Sequence, residues 1–79
     1  MKYVYILQSE AHLNRYYVGL TSDLRERLQR HNSAQVTHTS KYVPWRVKTY
    51  VAFSDEVQAV AFERYLKTAS GRAFAIKRL

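Results

Sequence analysis

The chain has 79 residues, no cysteine, and 13 lysines and arginines against 6 aspartates and glutamates, for a formal charge of +7. That length allows one modest core, so residues 1–79 read as a single domain, and the lack of cysteine excludes disulfides and thiolate metal sites. The positive field favours a polyanionic partner, while one lysine followed by a short tyrosine-rich run makes neither a signal peptide nor a bilayer span, so the expected location is cytoplasmic.

Residues 2–8 alternate Tyr3, Tyr5 and Leu7 against Val4, Ile6 and Gln8, which predicts a strand. "SEAHLN" reads as a connecting loop. Residues 15–21 then set Tyr16, Val18 and Leu20 on one face and Tyr17, Gly19 and Thr21 on the other, and the short connection predicts an antiparallel hairpin. Adjacent strand residues point to opposite faces, so Tyr16 and Tyr17 cannot both be core residues of a sheet covered on one side only. "DLRERLQRHN" follows as a helix, with Asp23 and Glu26 spaced as a capping pair and Leu24, Arg27, Leu28 and His31 forming a stripe that is half apolar and half cationic.

Residues 33–44 contain turn formers, one proline and no acid, and read as a loop. "WRVKTYVAF" at 45–53 is the third strand, with Arg46, Lys48 and Tyr50 alternating against Val47, Thr49 and Val51. Ser54, Asp55 and Glu56 start a second helix that runs to about Thr68, with Ala59, Phe62, Leu66 and Ala69 on its buried face. Ser70 and Gly71 are expected to break it before a short last helix, "RAFAIKRL". The order is ββαβαα: an α+β domain in which a three-stranded antiparallel sheet has helices covering one side or flanking it.

Six carboxylates restrict the chemistry. A two-metal phosphodiesterase needs acids clustered to hold ions about 4 Å apart. Here Glu10 lies in a loop, and Asp23, Glu26, Asp55 and Glu56 belong to helix starts. Glu63 alone lies well inside a helix, at the edge of its buried face. The plainer reading pairs it with Lys67 at i,i+4, worth about 0.3–0.5 kcal/mol. The other gives it a Mg²⁺ ion, which keeps most of its waters and often takes one or two protein carboxylates. A zinc site is not expected, since the chain has three histidines, no cysteine, and a presumed loop between His31 and His38.

Arg27 and His31 are one helical turn apart and can address one spot beside the hairpin, the first as a phosphate clamp and the second as a proton acceptor near neutral pH. Arg25 and Arg30 read as a solvated basic face. Tyr5 and Tyr17 can meet across the hairpin, either as ordinary cross-strand packing or as phenols whose pKa neighbouring cations depress, with Gly19 leaving space for a substrate backbone.

In order and spacing these residues resemble the GIY-YIG nuclease domain. "YVY" at 3–5 stands for the first motif and "YVG" at 17–19 for the second; Arg27 follows ten residues after Tyr17, then His31 with Asn32, and the helix glutamate is Glu63. The similarity runs from Lys2 to the end, and "FERYLKTASGRAFAIKRL" at 62–79 resembles the tail of small stand-alone members related to the excision-repair incision subunit. The resemblance implies an endonuclease that hydrolyses DNA with one Mg²⁺ or Mn²⁺ ion. Glu63 would hold the metal, Arg27 would stabilise transition-state charge, and Tyr5 or Tyr17, helped by His31, would orient or deprotonate water, with Asn32 in support. There are departures from the pattern: Tyr3 replaces the glycine of the first motif, Val18 the isoleucine of the second, and Leu20 stands where many members carry lysine or threonine. The separate DNA-binding module of the better understood members has no counterpart in this chain.

Low sequence preference and substrates that are branched, damaged or otherwise non-duplex, in repair or recombination, complete that expectation. Arg15, Lys41, Arg46, Lys48 and Arg72 are the expected phosphate contacts, DNA is favoured over RNA, and a protein partner would supply specificity. The alternatives are a nucleic-acid-binding accessory module that does not cleave, and a small interaction protein whose basic face binds an acidic protein.

Overall fold

The computed structural model describes residues 1–79. Its elements are β1 (Lys2–Ser9), β2 (Tyr16–Thr21), α1 (Leu24–Asn32), β3 (Trp45–Phe53), α2 (Glu56–Leu66) and α3 (Ala69–Arg78), with a 3-10 turn at Ser40–Tyr42. The strands form one antiparallel sheet in the order β2-β1-β3, giving the expected α+β fold.

Because β1 is the central strand, its side chains are buried on both faces. Val4 and Ile6 pack with Ala59 and Leu66 in one core, closed by Phe62 of α2 and by Phe74, Ala75 and Leu79 at the C-terminal end. Tyr5, Leu7 and Trp45 form a second core with Leu24 and Leu28 of α1 and with Tyr42 and Val43. Complete burial of an aliphatic side chain such as Val4 or Leu66 contributes roughly 1.5–3 kcal/mol. The sheet is therefore covered on both sides, which gives the two adjacent tyrosines of β2 different surroundings.

The register of β3 departs from simple alternation. Ile6 pairs with Thr49 but Leu7 with Val47, so Lys48 is an extra residue and the strand bulges there. The bulge changes the face on which later residues fall. Val47 joins the Tyr5 core whereas Phe53 joins the Val4 core, and Arg46, Lys48 and Tyr50 do not share a face. Tyr50 pairs with Tyr5 and meets the Tyr3 ring edge-on at 5.8 Å; Arg46 pairs with Gln8 and donates to its side-chain oxygen at 2.6 Å.

Asp23 caps α1 by accepting from the Glu26 amide at 3.0 Å, but Glu26 directs its carboxylate to Arg30 instead of back to the cap. The helix stops where Ala34 adopts φ 62°, the left-handed turn usual after a helix end. Asp55 caps α2 in the same way as Asp23.

The expected boundary between the last two helices is wrong. α2 ends at Leu66, Thr68 Oγ1 accepts from the Gly71 amide at 3.0 Å, and Ser70 and Gly71 lie in the first turn of α3. Glycine is required at 71 for close approach, because any Cβ there would run into the Tyr65 carbonyl. Ala69 consequently starts α3 and is exposed, while Ala59 and Leu66 are buried and Phe62 half-buried. No helix is long and apolar enough to cross a membrane.

Candidate active site

Tyr5 sits at the middle of β1, opposite Gly19, and is 1% exposed. Its ring lies across Gly19 so closely that a Cβ at that position would clash with the phenol oxygen and two ring carbons. The space at Gly19 is thus taken by Tyr5 and is not left for a substrate backbone. Tyr17 lies diagonally across the hairpin, its ring centre 6.3 Å from that of Tyr5 and 4.8 Å from that of His31.

His31, in the last turn of α1, is also 1% exposed and is bonded on both ring nitrogens. Nε2 is 3.1 Å from Tyr5 Oη, and Nδ1 is 2.8 Å from Thr39 Oγ1. The Thr39 hydroxyl donates to the Val36 carbonyl at 3.3 Å, so its lone pair accepts from Nδ1–H. This network assigns the proton to Nδ1 and leaves Nε2 to accept from Tyr5. Thr39 was not singled out from the sequence. It comes from the loop before the 3-10 turn, and no spacing rule links it to His31.

Arg27 is one turn before His31. It donates from Nη1 to the Leu20 carbonyl at 3.4 Å, while its buried Nε has no partner. The two ion pairs of the structure, Arg30 with Glu26 and Lys67 with Glu63, do not include it. An unpartnered N–H on an uncompensated guanidinium suits an anionic ligand.

Burial raises the Tyr5 pKa. The neighbouring Arg27 guanidinium opposes that rise, and the charges of Tyr17 and Glu63 add to it. The expected lowering by neighbouring cations is therefore reversed at Tyr5, because loss of hydration outweighs Arg27. Burial lowers the His31 pKa, and the charges of Arg27 and Arg30 lower it further. At neutral pH the pair consists of an intact phenol and a neutral imidazole.

Glu63 stands in the opposite helix layer. Its side chain is 15% exposed and pairs with Lys67 at 2.5 Å, and it makes no hydrogen bond to Tyr5, Tyr17, Arg27 or His31. The i,i+4 pair foreseen as the plainer reading is thus present, although the Glu63 charge also reaches Tyr5. As a metal ligand Glu63 offers one hard oxygen donor, with no group of three or more acids and histidines around it. That donor set fits Mg²⁺ or Mn²⁺ retaining most of its waters.

Asn32 fastens α1 to β3, donating to the Trp45 carbonyl at 2.9 Å and accepting from the Trp45 amide. Among the expected phosphate contacts, Arg15, Lys48 and Arg72 line one groove, and Arg46 bonds Gln8, which in turn donates to the groove residue Tyr16. Lys41 is exposed on the 3-10 turn and does not line that groove.

The fold and this cluster define a small α+β protein with proton-transfer groups set beside a cation that has no carboxylate partner. The GIY-YIG catalytic domain model matches residues 1–77, and the chain belongs to that family, a nuclease family whose members generally use divalent metal ions. No curated protein matches the chain with significance.

Proposed function

We propose that this protein is a divalent-metal-dependent endonuclease that hydrolyses DNA phosphodiester bonds with little sequence preference, acting on branched or damaged DNA in the cytoplasm with a protein partner that adds specificity. The observation that carries the reading is the 3.1 Å contact between Tyr5 Oη and His31 Nε2 beside the uncompensated Arg27.

Tyr5 has a raised pKa, so it does not serve as a standing phenolate. Neutral His31 is the base, and the Tyr5 hydroxyl passes the proton: its oxygen takes one from the attacking water as it gives its own to Nε2. Tyr17, half-buried over the His31 ring, orients that water. Arg27 binds the scissile phosphate and neutralises the charge that builds on it. Glu63 would hold the metal, which when bound polarises the phosphate and stabilises the leaving oxygen.

A plasmid-nicking assay with Mg²⁺ or Mn²⁺ tests this reading. Arg27→Ala and Glu63→Ala should each lower the rate by roughly a hundredfold or more while DNA binding persists. Binding without metal-dependent nicking by the parent protein would overturn it. The second reading, a nucleic-acid-binding module that does not cleave, would then stand; it is favoured by the pairing of Glu63 with Lys67.

A further inference from the structure

A groove of about 750 Å³ lies on the Val4 and Ile6 side of the sheet, between the hairpin and α3. Four cations line it, Arg15, Lys48, Lys67 and Arg72, and none of the chain's 6 acids does. The floor between them is apolar. Tyr16 is 53% exposed and Ile76 85% exposed along the same surface. We propose that this groove binds single-stranded nucleic acid and leads it to the candidate active site, an inference that rests on the nuclease reading for its role but not for the binding itself.

Charge selects the class of ligand. Lys67 is paired with Glu63, but Arg15, Lys48 and Arg72 have no aspartate or glutamate partner; such a cluster attracts a polyanion, and the gain on binding comes from counterion release. The apolar floor selects the form. A duplex keeps its bases stacked inside and would present phosphates to a surface that is largely hydrocarbon, whereas a single strand can place base faces on Tyr16 and Ile76 while its phosphates meet the cations.

The tyrosine is held for such contact. Gln8 Nε2 donates to Tyr16 Oη at 3.4 Å and Gln8 Oε1 accepts from Arg46 at 2.6 Å, so Arg46 extends the basic rim past the ring. Arg15 is steadied 4.9 Å above the centre of the Tyr42 ring. Lys48 donates one hydrogen to a main-chain oxygen of Leu79, which leaves two for phosphate.

The groove meets the site already described at the β2 edge. Tyr17, which packs on His31, also lines it, and Lys67 is the ion-pair partner of Glu63. A strand in the groove would therefore pass the β2 edge beside both.

Fluorescence anisotropy with a labelled oligothymidine of about 12 nucleotides, and with a duplex of the same length, tests this in EDTA, where no metal-dependent cleavage occurs. Arg72→Ala and Lys48→Ala should each weaken oligothymidine binding about tenfold and flatten the logarithmic salt dependence by about 0.7. Tyr16→Ala should weaken it about tenfold without changing the salt slope, and should leave duplex binding nearly unchanged. Arg64→Ala removes the same charge from a separate patch of α2 with Val57 and Ala61, and should stay within about twofold of wild type. Circular dichroism melts confirm that each variant folds. Groove variants that bind like Arg64→Ala, or a Tyr16→Ala variant that loses duplex and strand equally, would overturn the proposal. An absence of nicking would count only against the nuclease reading.

Discussion

The ring of Tyr5 occupies the place that a side chain at Gly19 would need: the two residues are paired across β1 and β2, and a Cβ on the glycine would clash with the phenol. This relationship directs the Tyr5 hydroxyl towards His31. Gly19→Ala should move the phenol off Nε2 and overpack a site where Tyr5 has no free volume, at about 1–3 kcal/mol in stability. Urea unfolding gives the stability cost, and nicking by the folded fraction gives the loss of function. A variant with wild-type unfolding and wild-type rate would contradict this role for the glycine.

Thr39 is expected to act on His31 as a positioning residue. Thr39→Val keeps the shape but leaves Nδ1–H buried without an acceptor, which costs roughly 1–3 kcal/mol or drives the proton to Nε2, where it opposes donation from Tyr5. Nicking should fall by roughly tenfold to a hundredfold. Thr39→Ser, which retains the hydroxyl, should restore it. Imidazole ¹⁵N shifts supply the readout that simple loosening of the fold would not produce: proton on Nδ1 in the wild type and a changed tautomer in Thr39→Val.

Acid should reduce both stability and rate through His31. Burial, with the charges of Arg27 and Arg30, lowers its folded pKa below the ordinary 6.5. As pH falls through 6.5 the unfolded chain takes up a proton that the folded chain refuses, so stability is full above that value and declines below it until the folded pKa is passed. The acid limb of the nicking profile should accordingly lie below pH 6.5, with little change from about pH 7 to 8. An NMR titration of the His31 ring with a midpoint above 6.5 would contradict both expectations.

The elements most visible in the sequence were those fixed by local chemistry. The run of β-formers in 2–8 and the alternation in 45–53 mark β1 and β3, and Asp23 and Asp55 mark two helix starts. Gly71 misled because glycine ordinarily signals a helix end; here it serves close packing inside a first turn, with Thr68 as the cap. The bulge at Lys48 is a property of pairing with β1 and has no signature in the β3 sequence itself.

The same division runs through the candidate site. Helical spacing put Arg27 and His31 together, and strand alternation put Tyr5 and Tyr17 on one face, as the structure has them. Thr39 was invisible because its place depends on the path of a loop. The direction of the Tyr5 shift was also hidden, since it depends on whether burial or the Arg27 charge is larger, and only the packed structure decides that.

The ion pair of Lys67 with Glu63 places a cation at the oxygen proposed to receive a metal. Lys67 is 54% exposed, and an i,i+4 pair of this kind is worth only about 0.3–0.5 kcal/mol, so a divalent ion can displace it. The lysine charge nevertheless opposes the incoming ion. Lys67→Met keeps the aliphatic stem and a good helix former while removing that charge. Mn²⁺ affinity, measured calorimetrically at low salt, should rise about two- to fivefold, and the gain should shrink towards 1 M salt as the charges are screened. Oligothymidine affinity should move the opposite way, because the groove loses one of its four cations. A rise in metal affinity with a fall in strand affinity places Lys67 between the two sites. Mn²⁺ binding that is indifferent to both Lys67→Met and Glu63→Gln would remove Glu63 as the ligand.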